Sequence, residues 1–215
     1  MKRINYLACL SLILGTVVAT TPVSAQAATA TLKCKATKAV GHTPKTVKQP
    51  IGTSVGKDGK MTLVTNCGNI VILTYGKKAP NTVKMISTLA KAGFYNASRC
   101  HRLTTAGLYV LQCGDPTATG SGGPGFQYPD ENLPGAVSNN YPAGTVAMAN
   151  SGPGTNGSQF FLVFADTELG PNYTIWGKVT SGLDILKAIA AKGVQGGGGD
   201  GAPAQPVAIE KVIVS

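Results

Sequence analysis

The 215-residue sequence predicts a mainly β fold, a closed eight-stranded antiparallel barrel capped by two α-helices, one over each end. Three observations lead to it. About eight short runs rich in β-branched, aliphatic and aromatic residues are separated by Gly- and Asn-containing turns, the spacing of an all-β domain. Two segments carry helical periodicity. No internal repeat and no alternation of strands with helices appears, which removes a parallel α/β sheet from consideration.

The elements follow in chain order. Lys2 and Arg3 precede the apolar run Leu7 to Ala19, and Ala25-Gln26-Ala27 supplies small residues at a cleavage position. Residues 1–27 therefore read as a signal peptide removed near Ala27, and the chain as secreted or held in the cell envelope. The run is too short to be a comfortable membrane span. Residues 28–60 are rich in Lys, Thr and Pro without periodicity and read as a flexible arm restrained near Cys34. The folded domain is residues 61–215.

Within it, Met61 to Thr65 and Ile70 to Tyr75 flank Asn66-Cys67-Gly68-Asn69, a hairpin signal. Pro80 opens a helix whose Val83, Ile86, Leu89 and Ala90 share a face, with Gly93 where the helix must stop. Cys100 to Leu103 and Tyr109 to Cys113 form the next strand pair around Gly107. Residues 115–143 are dense in Gly, Pro and Asn and predict one long ordered loop, of the kind that serves a site. Strands at 145–149, 160–164 and 174–179, a helix at 183–191, a glycine turn at 196–199 and a last strand at 207–214 complete the chain.

Charge and cysteine content narrow the function. The formal net charge is +10, but seven lysines lie between residues 28 and 60 against Asp58 alone, so the basicity belongs to the arm. The arm contains no aromatic residue, whereas single-stranded nucleic acid is bound by basic residues interleaved with aromatics. No nucleic-acid partner is expected, and the arm reads as a solvated tether or as a contact to an anionic envelope surface. Without the leader, the cysteines are Cys34, Cys67, Cys100 and Cys113, an even number with no C-x-x-C pair, as disulfides rather than metal or redox chemistry require. Three pairings are open. The strand pair favours Cys100 with Cys113 and leaves Cys34 to pin the arm at Cys67, a connectivity the sequence alone does not determine.

The stretch Gly144 to Phe164 organises the rest. Two apolar runs flank a loop in which Gly152, Gly154 and Gly157 let backbone approach a ligand and Asn150, Asn156 and Gln159 offer amides. The loop leads into a strand, not a helix, so the ligand it implies is a neutral, partly apolar chain and not a nucleotide. His101 is the one histidine of the domain, and no nucleophile with a base, metal cluster or carboxylate pair can be assembled around it. It reads as a packed strand histidine. No cofactor and no metal are implied.

Cys100-His101-Arg102, Gln112-Cys113-Gly114-Asp115 and Met148 to Phe161 together resemble the cyclophilin family of peptidyl-prolyl cis-trans isomerases, whose F-H-R strand, Q-G-G-D turn and M-A-N-A-G-P-x-T-N-G-S-Q-F-F segment they match, with Ser151 for the second alanine. The resemblance runs from roughly Met61 to Ser215 and looks like an exported bacterial branch. It implies that Arg102 is the catalytic arginine, that Gln112 orients it, that Asn150 pairs its main chain with the peptide between Ala149 and Ser151, and that Phe161 floors the proline pocket. Gln159 lines the groove, Leu169 matches the pocket leucine and Tyr173 stands where a pocket histidine is common. Arg102 and Gln112 stand ten positions apart, two more than the usual spacing, and counting back from Gln112 puts Tyr109 and Val110 in the pocket wall. Glu168 falls where the family has tryptophan, which implies weak binding of cyclosporin-type ligands. The partners implied are proline-containing polypeptides, met by a monomer. A module that captures such peptides with little turnover, and an envelope-adhering chaperone acting through the arm, stand as rivals.

Overall fold

The computed structural model describes residues 32–52 and 56–215, and the predicted leader at 1–27 lies outside the described residues. The strands are β1 (Gly59–Thr65), β2 (Gly68–Thr74), β3 (Ser98–Arg99), β4 (Arg102–Ala106), β5 (Leu108–Cys113), β6 (Thr145–Met148), β7 (Phe160–Val163), β8 (Ile175–Ser181), β9 (Asp200–Gly201) and β10 (Ala208–Val214), with helices α1 (Pro80–Lys91) and α2 (Leu183–Ala190). They form one sheet in the order β3-β10-β1-β2-β8-β6-β7-β5-β4-β9.

The mainly β architecture with two helices is therefore present, but the expected closed barrel of eight strands is not. The sheet has ten strands, and its ladder ends on β3 and β9 instead of returning on itself. The count rises to ten because the strand expected at 100–103 lies in the extended segment Ser98–Ala106, which divides into β3 and β4, and because β9 adds to the edge of β4. The first two residues of that segment pair with β10, Cys100 donates its N–H to Val207 O at 2.9 Å, and His101 then donates to Gln112 O at 3.1 Å as the chain changes partner to β5. Two-residue strands such as β3 and β9 are too short to carry a periodic signal.

Alternation along the long strands sorts side chains between two apolar clusters. Met61, Leu63, Ile70, Ile72, Phe160, Leu162 and Trp176 enter the main core, which Ile86 and Leu89 of α1 and Leu186 and Ile189 of α2 cover. On the other face of the same strands, Val110, Ala147, Phe161 and Val163 build a smaller cluster with Tyr141. Parity divides β7, with Phe160 and Leu162 in the main core and Phe161 and Val163 in the second cluster. Trp176 is fully buried and meets Phe160 edge to face at 5.7 Å.

Residues 32–52 have no regular secondary structure, yet they are held at many points along the domain and not near Cys34 alone. Cys34 is bonded to Cys67 and Cys100 to Cys113, the connectivity favoured above. Lys35 donates its N–H to Asn66 O at 2.8 Å, the Asn66 amide returns a bond to Lys35 O at 2.9 Å, and His42 donates to Pro116 O at 2.9 Å. Arg99 Nε donates to Ala39 O at 2.7 Å, and Lys84 Nζ to Ile51 O at 2.6 Å. Backbone groups that find protein partners at this density hold an extended segment without a ladder.

Candidate active site

β4 and β5 are joined through the single residue Gly107, whose φ of +70° suits glycine. In the resulting register Arg102 stands directly opposite Gln112. β7 then sets Phe161 beside Gln112 on the other side of β5.

These strands and the loops after β6 and β7 enclose a pocket of about 170 Å³ lined by Arg102, Leu108, Val110, Gln112, Ala149, Asn150, Phe161, Leu169 and Tyr173. Eight of the eleven residues expected at the site wall this pocket. Two more, Ser151 and Gln159, line an adjoining groove of about 760 Å³ that runs along residues 120–127. The eleventh, Tyr109, is a correction: its ring turns the other way, 5.9 Å from Phe164 and against the main core. Strand alternation is the cause, since Leu108, Val110 and Gln112 share one face and Tyr109 takes the opposite one. Leu108 fills the wall in its place.

The floor is aromatic and rigid. Phe161, 5% exposed, meets Tyr173 edge to face at 5.6 Å, and Tyr141 lies 6.1 Å and 6.2 Å from the two rings. The Tyr141 hydroxyl accepts the Tyr173 N–H at 3.0 Å and donates to Tyr173 O at 3.1 Å, which fixes the loop that carries Tyr173. Burial pushes the Tyr141 phenol up to about 12, so it stays neutral and able to donate. Sequence reading missed Tyr141 because it sits in the irregular segment 115–143, where no period reports which face a side chain takes.

The rim is polar and continuous. Arg102 Nη1 donates to Gln112 Oε1 at 3.3 Å, Gln112 Nε2 donates to Gln159 Oε1 at 2.9 Å, and Gln159 Nε2 donates to Gly120 O and Gly122 O, both at 2.9 Å. The Asn150 amide donates to Asn172 O at 2.8 Å and ties the two loops across the pocket mouth. On its far edge Arg102 meets Asp200, Nε to Oδ1 at 2.8 Å and Nη2 to Oδ2 at 2.7 Å. Hydrogen bonding to Asp200 raises the guanidinium pKa, with partial burial opposing, and the same bond lowers that of Asp200. Burial lowers the His101 pKa, and neither ring nitrogen has a hydrogen-bond partner, as a packed strand histidine would have it.

A preformed apolar slot with one cation and two amides at its lip can hold a small ring and donate hydrogen bonds beside it. The family model for cyclophilin type peptidyl-prolyl cis-trans isomerases matches residues 60–214. The chain belongs to the cyclophilin family. Among curated cyclophilins it is 45% identical over 184 residues to the probable peptidyl-prolyl cis-trans isomerase B of Mycobacterium tuberculosis, covering 79% of this chain and 60% of that one. It is 42% identical over 195 residues to the Mycobacterium leprae protein of the same description, covering 84% and 66%. The chain thus spans about three fifths to two thirds of the length of these relatives.

Among solved cyclophilins, a Cryptosporidium parvum cyclophilin type peptidyl-prolyl cis-trans isomerase superposes with a TM-score of 0.64 at 25% identity, covering 74% of this chain and 98% of that one. A second structure of that parasite protein, determined in the presence of the dipeptide Ala-Pro, gives 0.63 over 73% and 98%.

Proposed function

We propose that this cyclophilin accelerates rotation about X-Pro peptide bonds of exported polypeptides without a covalent step. The observation that carries the reading is the placement of Arg102 and Gln112 opposite one another at the mouth of the pocket floored by Phe161. Partial double-bond character sets a barrier of roughly 18 to 20 kcal/mol on the peptide bond, and X-Pro bonds turn over uncatalysed in roughly tens to hundreds of seconds. In the twisted state the imide nitrogen pyramidalises and recovers a lone pair. A guanidinium donor meets that lone pair more strongly than it meets the planar amide, and such differential binding is what lowers a barrier. The ring sits against Phe161, Val110, Leu108 and Leu169, Tyr173 closes the end, and Gln112 steers the cation.

Proline-containing chains are the substrates of this reading, in keeping with the dipeptide used with the parasite relative. The two disulfides accord with an oxidising compartment outside the cytosol. Cyclosporin-type ligands bind weakly on this account, because Glu168, beside the pocket residue Leu169, is an exposed acid. Calorimetric titration with cyclosporin tests this, and affinity equal to that of a tryptophan-bearing cyclophilin counts against it.

The decisive experiment measures the initial cis-to-trans rate of a short X-Pro reporter peptide with wild type and Arg102→Ala at matched fold. Turnover that drops roughly 10²-fold in the variant supports the reading. A well-folded wild type that leaves the uncatalysed rate unchanged overturns it in favour of peptide capture alone.

A further inference from the structure

The glycine run at 196–199, which reads as a turn in the sequence, has a defined use. Gly196, Gly197 and Gly198 take φ values of +74°, +82° and +88°, three successive left-handed residues that only glycine adopts without strain. The loop they form is closed by Gln195 N–H to Ala202 O at 2.8 Å and anchored on β4 by Thr105 N–H to Gly199 O at 2.8 Å. β9 consequently pairs with β4, with Asp200 opposite Thr104 and diagonal to Arg102 on the same sheet face. Diagonal neighbours across a strand pair are within reach of long side chains, and the Asp200 carboxylate takes both Nε and Nη2 of Arg102 in a two-pronged contact.

The geometry points to Asp200 as a positioning residue for the isomerase reaction, clamping the Arg102 fork in the orientation that presents its remaining donors to the proline pocket. This inference rests on the isomerase reading above. A guanidinium has five N–H donors in a rigid plane. Asp200 takes two and Gln112 one, so one hydrogen on Nη1 and one on Nη2 remain. With its carboxylate and amide partners on either side, the plane cannot rotate about its stem without breaking a bond. A free arginine 40% exposed at a pocket rim samples many rotamers, and each one outside the productive set removes the donor from the twisting bond. Asp200 itself, 55% exposed, does not line the pocket and acts through Arg102.

The test is a double-mutant cycle on the reporter-peptide reaction, run on the mature chain. Asp200→Ala should lower kcat roughly tenfold with KM within about twofold, since ground-state binding by the apolar slot is untouched. Asp200→Asn, which keeps the shape but loses the paired acceptors, should behave like alanine, and Asp200→Glu should recover much of the rate. In the Arg102→Ala background, Asp200→Ala should have no further effect, a coupling that a loss of loop stability does not produce. Thermal unfolding checks that each variant is folded, and the Arg102 Nε–H resonance should lose its protection in Asp200→Ala. An active wild type whose kcat is unchanged or raised by Asp200→Ala overturns the clamp and leaves the isomerase standing. A wild type without activity overturns both.

Discussion

Glu131 accepts the backbone N–H and the hydroxyl of Thr82, each at 2.9 Å, across 49 residues of sequence. Its other oxygen takes the backbone N–H and side-chain amide of Asn81 at 3.2 Å and 2.8 Å. Helix α1 has no side-chain cap of its own, and this loop carboxylate supplies one from outside, at the end where the helix dipole favours negative charge. Glu131→Ala is expected to destabilise the domain by about 2 kcal/mol, from the loss of charged caps. Chemical denaturation measures it, and an unchanged midpoint refutes the capping role.

Gln112 joins Arg102 to Gln159. Gln112→Ala should reduce kcat/KM roughly tenfold, less than Arg102→Ala, because the cation remains while one of its guides is gone. Equal losses in the two variants would mean that the amide itself meets the substrate.

Asp115 is fully buried and its carboxylate collects the Thr117 hydroxyl at 2.7 Å and the backbone N–H groups of Thr117, Gly120 and Gly122 at 2.8, 2.7 and 3.0 Å. Burial raises its pKa, and these bonds together outweigh that and bring it below the ordinary 3.8. A depressed folded value means stability that is present above the unfolded pKa and is lost as pH falls through the folded one. The wild type should therefore lose stability below about pH 4, and Asp115→Asn should be less stable at neutral pH with a flatter acid limb. The two acid-unfolding curves compared by circular dichroism decide it, parallel curves counting against Asp115.

Cys34–Cys67 closes a separation of 33 residues and Cys100–Cys113 one of 13. By chain entropy these are worth about 4 and about 3 kcal/mol respectively. Replacing Cys34 and Cys67 by Ser should speed hydrogen exchange at the Lys35 and His42 amides while β5 stays protected. Uniform loss of protection would show that the arm and the sheet unfold as one unit.

The long strands β1 and β2 were legible because each has one face in the main core, which writes a period of two into their burial, and β5 and β10 were legible from their runs of β-favouring residues. The candidate site was legible for a different reason: a backbone loop, a cation and an aromatic floor need particular residue types at particular spacings, and Arg102, Gln112, Asn150 and Phe161, marked in the motif, line one pocket. Tyr109 was expected in the wall from its distance to Gln112 alone, and strand alternation overrules that by giving Leu108, Val110 and Gln112 one face and Tyr109 the other.

By itself, then, the sequence determined the strand and helix segments, the cyclophilin motif and the residue types of the pocket, all set by local periodicity and short-range spacing. The tertiary structure alone decided the open ten-stranded ladder, the reach of the arm, the support of Tyr141 under the floor, the Glu131 cap and the Asp200–Arg102 pair. Each of those depends on residues roughly 20 to 100 or more positions apart, whose meeting is decided by which surfaces bury one another and not by any local pattern.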